Sequence, residues 1–72
     1  MLYFKSSQPI PGKGQALTFY ECDDTQRILR IVTYIPATSE TERIDKPVVK
    51  KLYRPELLSE SSADEFNTYY GK

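Results

Sequence analysis

The densest group of side chains that could do chemistry is the run from Glu21 to Asp24, which places three carboxylates around the thiol of Cys22. Calcium sites spread their oxygen ligands over about a dozen residues and need a glycine, and this run has neither property. A cysteine nucleophile needs a base or a cation nearby, whereas Cys22 has acidic neighbours and the chain has no histidine. We therefore expect a solvated turn and a structural thiol. The sequence predicts no catalytic residue, no metal, no cofactor and no enzyme activity.

A second candidate is the basic segment 43–54, which carries five cations against one acid. Three of these cations flank an aromatic ring, and basic groups beside an exposed ring are used by proteins that bind single-stranded nucleic acid. The residues of this candidate site are Lys50, Lys51, Tyr53 and Arg54. The segment that follows is acidic, so the two blocks could also neutralise each other within the fold or across an interface. Nucleic-acid binding is therefore the alternative hypothesis.

The overall composition gives the chain no strong electrostatic character. Its 72 residues contain ten acidic and ten basic side chains, so the net charge is zero and offers no general attraction for nucleic acid or anionic lipid. A single cysteine excludes an internal disulfide, and no signal peptide or membrane-spanning run is recognisable. We expect one cytoplasmic domain over residues 1–72, with a thin core and no membrane contact.

The clearest structural signal is a β-hairpin formed by Gln15–Cys22 and Gln26–Ile35, both rich in β-branched and aromatic residues. A three-residue turn, Asp23–Thr25, gives favourable cross-strand pairs on one face. The expected pairs are Glu21 with Arg27, Phe19 with Leu29, and Leu17 with Ile31. A four-residue turn would place Phe19 opposite Arg30 instead, which is a poorer match.

The second strand of this hairpin carries apolar residues on both faces. Ile28, Val32 and Tyr34 alternate with Leu29, Ile31 and Ile35 along the strand. Such a strand lies centrally in its sheet or meets a partner on its second side. Because the chain is short, either its middle segment folds over the second face or another chain covers it, and we expect association with another chain. The residues predicted at this interface are Ile28, Val32 and Tyr34, with Arg30 at the edge.

The other strands are marked less clearly. Leu2–Ser6 reads as a short strand, and the prolines and glycines of Gln8–Gly14 indicate a loop. Ala37–Glu42 is small and polar and reads as an exposed loop, after which Ile44 could start a return strand. Val48–Tyr53 fits either a strand or a helix. Glu56–Leu58 is expected to be a brief edge segment.

The last element is predicted to be a helix of two to three turns. Ser62 is followed three residues later by Glu65, which is the capping-box spacing. Phe66, Tyr69 and Tyr70 then form an apolar stripe at helical spacing, and Gly71 stands at the position of a C-terminal cap. A helix this short is not stable alone in water, so it must pack on the sheet.

Three stretches resemble small uncharacterised bacterial domains of unknown function: Phe19–Asp23, Arg30–Val32 and Pro55–Phe66. Together they cover less than half of the chain, and Ala37–Arg54 departs from the pattern. The resemblance implies an α+β fold, and it implies no activity and no functional residue.

The sequence therefore predicts an α+β fold, with an antiparallel sheet of three to five strands and the C-terminal helix on one face. It predicts a non-catalytic protein that acts through protein–protein association, as a homodimer or as an accessory subunit.

Overall fold

The computed structural model describes residues 1–48, 51–52 and 55–72. Its elements are β1 (Leu2–Ile10), β2 (Gly14–Cys22), β3 (Ile28–Ile35), β4 (Glu40–Ile44), a 3₁₀ turn (Pro55–Leu57), β5 (Ser59–Glu60) and α1 (Ala63–Tyr70). The strands form one antiparallel sheet in the order β4-β3-β2-β1-β5. This confirms the predicted antiparallel sheet with a C-terminal helix. No helix in the described part of the chain is long and apolar enough to cross a membrane.

The turn between β1 and β2 is shorter than the predicted loop Gln8–Gly14. The Lys13 N–H donates to the Ile10 carbonyl at 3.0 Å, and Gly12 has a φ of 81°. Proline at the preceding position and a positive φ at Gly12 are typical of a type II turn. The prediction of a loop from Gln8 was wrong, because β1 continues to Ile10. Pro9 is tolerated there because its missing N–H falls on the edge away from β2.

The β2–β3 hairpin has neither of the predicted registers. Glu21 pairs with Arg30 and Phe19 with Val32, and a β-bulge then brings Cys22 opposite Ile28. The loop is wider than expected because the Asp23 carboxylate orders it, accepting hydrogen bonds from the N–H and hydroxyl of Thr25 and from the Arg27 N–H. Gln26 adopts a positive φ of 66°.

After Pro36 the chain turns quickly and returns as β4. This strand begins at Glu40, inside the predicted loop, and Ile44 ends it instead of starting it. The prediction was wrong because β3 is a central strand, and polar residues of β4 can pair with its second edge while their side chains stay in water. Of the ambiguous segment Val48–Tyr53, residues 49, 50 and 53 lie outside the described part. Lys51 forms an isolated bridge with Arg27.

The final elements lie close to their predicted positions. The expected edge segment at Glu56–Leu58 is displaced by a few residues, since β5 (Ser59–Glu60) pairs with Phe4 and Lys5 of β1. The predicted helix is confirmed. The Ser62 hydroxyl accepts the Glu65 N–H at 3.1 Å, and Gly71 stands at the C-cap.

Helix α1 packs on one face of the sheet and completes the core. Phe66 lies fully buried against Phe19 and Val32. Four partly buried side chains surround this centre: Tyr3, Leu17, Tyr69 and Tyr70. The aromatic rings supply much of the apolar area that the few aliphatic residues cannot supply. The core therefore lies between α1 and the sheet face that carries Phe19, which we call the helix face.

Candidate functional site

A row of polar side chains crosses the helix face where β1, β2 and β3 lie side by side. Tyr3 is paired with Glu21, and Glu21 is paired with Arg30. The Arg30 guanidinium donates to both carboxylate oxygens of Glu21, from Nε at 2.6 Å and from Nη2 at 2.8 Å. The Tyr3 hydroxyl donates to the same carboxylate at 3.0 Å. Glu21 is 6% exposed, and Arg30 and Tyr3 supply hydrogen bonds to its carboxylate in place of water.

The rings of α1 lie against the same guanidinium. Arg30 lies 5.2 Å from the Phe66 ring centre and 4.6 Å from that of Tyr70. The paired guanidinium holds the pKa of Glu21 below its ordinary value. Burial, together with the hydrogen bond to Glu21, raises the pKa of Tyr3. Since the carboxylate already accepts three hydrogen bonds, we interpret the row as a structural ion pair that joins three strands to the helix.

The four residues predicted as an interface are mostly covered by the chain itself. Val32 is fully buried under α1, and Tyr34 is half-buried with its ring 5.4 Å from that of Tyr69. Arg30 is engaged with Glu21 and the helix rings. The β-bulge moves Ile28 to the opposite face, where it is 4% exposed. The prediction placed all four on one open face because it assumed strict alternation through this bulge.

The opposite face of the sheet carries an apolar groove. Its floor comes from the sheet, at Tyr20, Ile28 and Ile31, and its wall comes from the segment that leads into β5, at Leu52, Leu57 and Leu58. Five polar residues complete its lining: Lys5, Ser6, Ser7, Gln8 and Ser59. The groove has a volume of about 620 Å³. We call it the leucine groove.

The leucine groove is only partly closed by its own wall. Leu57 is 69% exposed although it lines the groove. Ile44, which pairs with Ile31 on this face, is 39% exposed. An apolar concave surface with a polar rim is typical of binding sites. The segment between β4 and β5 therefore covers part of the second face and leaves part of it accessible.

A smaller cavity of about 200 Å³ lies on the helix face. Leu17, Phe19 and Tyr69 provide its apolar surface, and the Lys5 amino group lies 3.2 Å from the Glu65 carboxylate at its border. Four residues at the β1–β5 edge line both this cavity and the leucine groove: Lys5, Ser6, Ser7 and Ser59. The two concave surfaces therefore meet at one edge of the sheet, one on each face.

The run of acidic residues that suggested chemistry is a turn beside a buried thiol. Cys22 is fully buried, and burial together with Asp23 and Glu21 raises its pKa to about 11. Asp23 accepts loop hydrogen bonds, and Asp24 pairs with the chain's amino terminus at 3.2 Å. Within the described ranges, no group of three or more cysteine, aspartate and glutamate side chains is arranged to hold a metal ion.

The predicted nucleic-acid site cannot be assembled from the described residues. Lys50, Tyr53 and Arg54 lie outside them. Lys51 is exposed and its backbone pairs with Arg27, which adds a cation that the sequence pattern did not include. Binding of single-stranded nucleic acid by this segment stays a prediction.

Comparison with protein-family models, with curated proteins and with solved structures finds no match to this chain. The resemblance to small bacterial domains therefore stays a prediction. The leucine groove was missed in the sequence because its wall comes from a segment without helical or strand periodicity. The available signal was the presence of three leucines, Leu52, Leu57 and Leu58, outside every clear element.

Proposed function

We propose that this protein is a non-catalytic accessory subunit that binds another protein through the leucine groove. The observation that carries the proposal is the exposure of Leu57, at 69%, on the wall of an apolar groove. Exposed apolar surface with a polar rim marks protein interaction sites, because covering it removes apolar area from water. The amino-acid sequence also predicts association, through a different set of residues.

A different protein fits the groove better than a second copy does. A symmetric dimer brings the same patch of both copies together, so two concave surfaces would meet and leave a void between them. Pairing of two β4 edges is also opposed, since the outer strand carries Glu40, Glu42 and Arg43 as exposed charges. We therefore expect the isolated chain to be monomeric.

The test uses the tagged chain as bait in extracts of its source cells. Leu57→Glu places a charge on the groove wall, and Val48→Glu is the matched control because Val48 is 95% exposed and does not line the groove. We expect a protein that is retained by the wild-type chain and by Val48→Glu but not by Leu57→Glu. The retained protein is then purified, and calorimetric titration should reproduce the same order of affinities.

Two results would overturn this proposal. One is retention that does not change in Leu57→Glu, which would place the contact elsewhere. The other is a wild-type dimer in light scattering that dissociates in Leu57→Glu, which would assign the groove to self-association.

A further inference from the structure

The edge strand β1 is longer than the strand that pairs with it. β1 spans Leu2–Ile10, whereas β5 pairs only with Phe4 and Lys5. No other strand in the described part of the chain pairs with this edge beyond Lys5. The exposed residues Ser7, Gln8 and Pro9 lie in the far half of β1. The sheet therefore offers a free edge beyond Ser59, the first residue of β5.

One hydrogen bond determines which backbone groups of β1 face this edge. The Ser61 N–H donates to the Tyr3 carbonyl at 2.9 Å, so the backbone of Tyr3 points away from β2. Backbone groups alternate between the two sides of a strand, and the same direction therefore recurs at Ser7 and Pro9. Ser7 offers both an N–H and a carbonyl to the free edge, whereas Pro9 offers only a carbonyl.

We propose that the leucine groove takes an extended peptide segment of the partner, which adds to the sheet as a short strand beside Ser7 and continues the line of β5. The inference rests on the proposed function, since it specifies how a partner would occupy that groove. Addition of a strand to a free edge is a known mode of peptide recognition, in which backbone bonds supply affinity and side-chain pockets supply specificity.

The two cavities fit the alternation of side chains along such a strand. A peptide residue opposite Ser7 would direct its side chain to the helix face, toward Leu17 and Tyr69. Its two neighbours would point to the other face, into the groove between Ile31 and Leu57. The groove has about 620 Å³ and the other cavity about 200 Å³. This difference favours large apolar residues on both sides of a smaller one.

The charges at the edge also limit the occupant. Of the described residues that line the groove, Lys5 alone is charged, and its amino group already pairs with the Glu65 carboxylate at 3.2 Å. A charged side chain of the peptide would lose contact with water there without gaining a free partner. An uncharged peptide is therefore favoured. The occupant we infer is an extended, uncharged apolar segment, antiparallel to β1.

The experiment selects short random peptides displayed on phage against the folded chain and measures enriched sequences as synthetic peptides. We expect apolar residues at every second position, a small residue between them, and depletion of charged residues of either sign. Ser7→Pro removes the outward N–H, and Ser7→Ala keeps it as the matched control. We expect about tenfold weaker binding to Ser7→Pro, the effect of losing one backbone hydrogen bond, and unchanged binding to Ser7→Ala.

A second measurement does not depend on how well Ser7→Pro folds. In the wild-type chain, addition of the peptide should slow hydrogen exchange at the Ser7 amide and leave the amide of exposed Thr25 unchanged. Peptide binding that is lost in Leu57→Glu but leaves Ser7 exchange unaltered would overturn strand addition while keeping the proposed function. Failure to enrich any peptide would also overturn strand addition, and the proposed function would still be judged by the co-purified protein.

Discussion

At the residue scale, the ion pair of Glu21 and Arg30 should make stability depend on pH. The pKa of Glu21 is lowered, first by its hydrogen bonds to Arg30. A group whose pKa is lower in the folded state contributes its full stability above the ordinary glutamate pKa and loses it as pH falls through the folded value. We expect Glu21→Gln to lower the free energy of unfolding by roughly 2 kcal/mol at about pH 7, since it leaves Arg30 without its charge partner.

The measurement is urea unfolding of both proteins between about pH 7 and about pH 3. The difference in free energy of unfolding between wild type and Glu21→Gln should become smaller as the pH falls, because Glu21 becomes protonated. Glu65, whose pKa is lowered by Ser61 and Lys5, keeps its own acid dependence in both proteins and cancels in the difference. The control Glu42→Gln removes an exposed carboxylate and should change little. If this difference in free energy stayed constant across the pH range, the ion pair of Glu21 and Arg30 would not be the source of the pH dependence.

Cys22 gives a second residue-scale prediction, because its thiol reports on opening of the sheet. It is fully buried and its pKa is raised to about 11, so the native protein holds an inaccessible thiol in its unreactive form. We expect an aromatic disulfide reagent to label it only as fast as the protein opens, and the rate to rise with urea. The double variant Cys22→Ala/Val48→Cys should label immediately. If native wild type were labelled as fast as this double variant, Cys22 would be accessible to the reagent and not buried.

At the element scale, α1 should depend on its N-terminal cap. The Ser62 hydroxyl accepts the Glu65 N–H, and the helix has only eight residues to carry Phe66 into the core. Ser62→Ala should therefore cost about 1 kcal/mol of stability, measured by urea unfolding. Ser62→Asp is the matched control, since aspartate caps equally well and suits the helix dipole. Equal stability of the alanine and aspartate variants would contradict a capping role.

The elements also show what the sequence could predict and what it could not. Helix α1 was predictable because its cap, its apolar stripe and Gly71 are all local signals. The hairpin register was not, since Asp23 orders a wider loop and Gln26 takes a positive φ without being glycine. The bulge near Ile28 then reverses the face of that residue. One local irregularity therefore changed the predicted cross-strand partners and placed Ile28 on the opposite face from Arg30, Val32 and Tyr34.

At the scale of the whole molecule, the sheet and helix follow from alternation and capping, but the groove depends on distant packing. Leu52, Leu57 and Leu58 line the groove together with strand residues more than twenty positions earlier in the chain, and no local sequence pattern predicts this arrangement. The sequence indicated that β3 has apolar side chains on both faces, and that both faces must be covered from water. It also predicted that the C-terminal helix covers one face, but it left open whether the middle segment or another chain covers the second.

The charges on β4 determine whether two copies of the chain can pair through this outer strand. In an antiparallel pair of two β4 strands, a two-fold axis at Glu42 places Glu42 opposite its own copy, and an axis at Arg43 does the same for Arg43. An axis at Thr41 brings Glu40 opposite Glu42. Like charges directly opposite each other destabilise strand pairs, so each of these registers is opposed.

Removal of the Glu42 carboxylate should therefore promote self-association. We expect Glu42→Val to lower the dissociation constant of a β4-paired dimer by up to about tenfold, measured by sedimentation over a range of concentrations. The control Asp64→Asn makes the same change in net charge on α1 and should leave the mass unchanged. Added salt should promote association of the wild type in the same direction by screening the exposed carboxylates. A Glu42→Val protein that stays monomeric at every concentration would show that another feature, and not charge, keeps this edge unpaired.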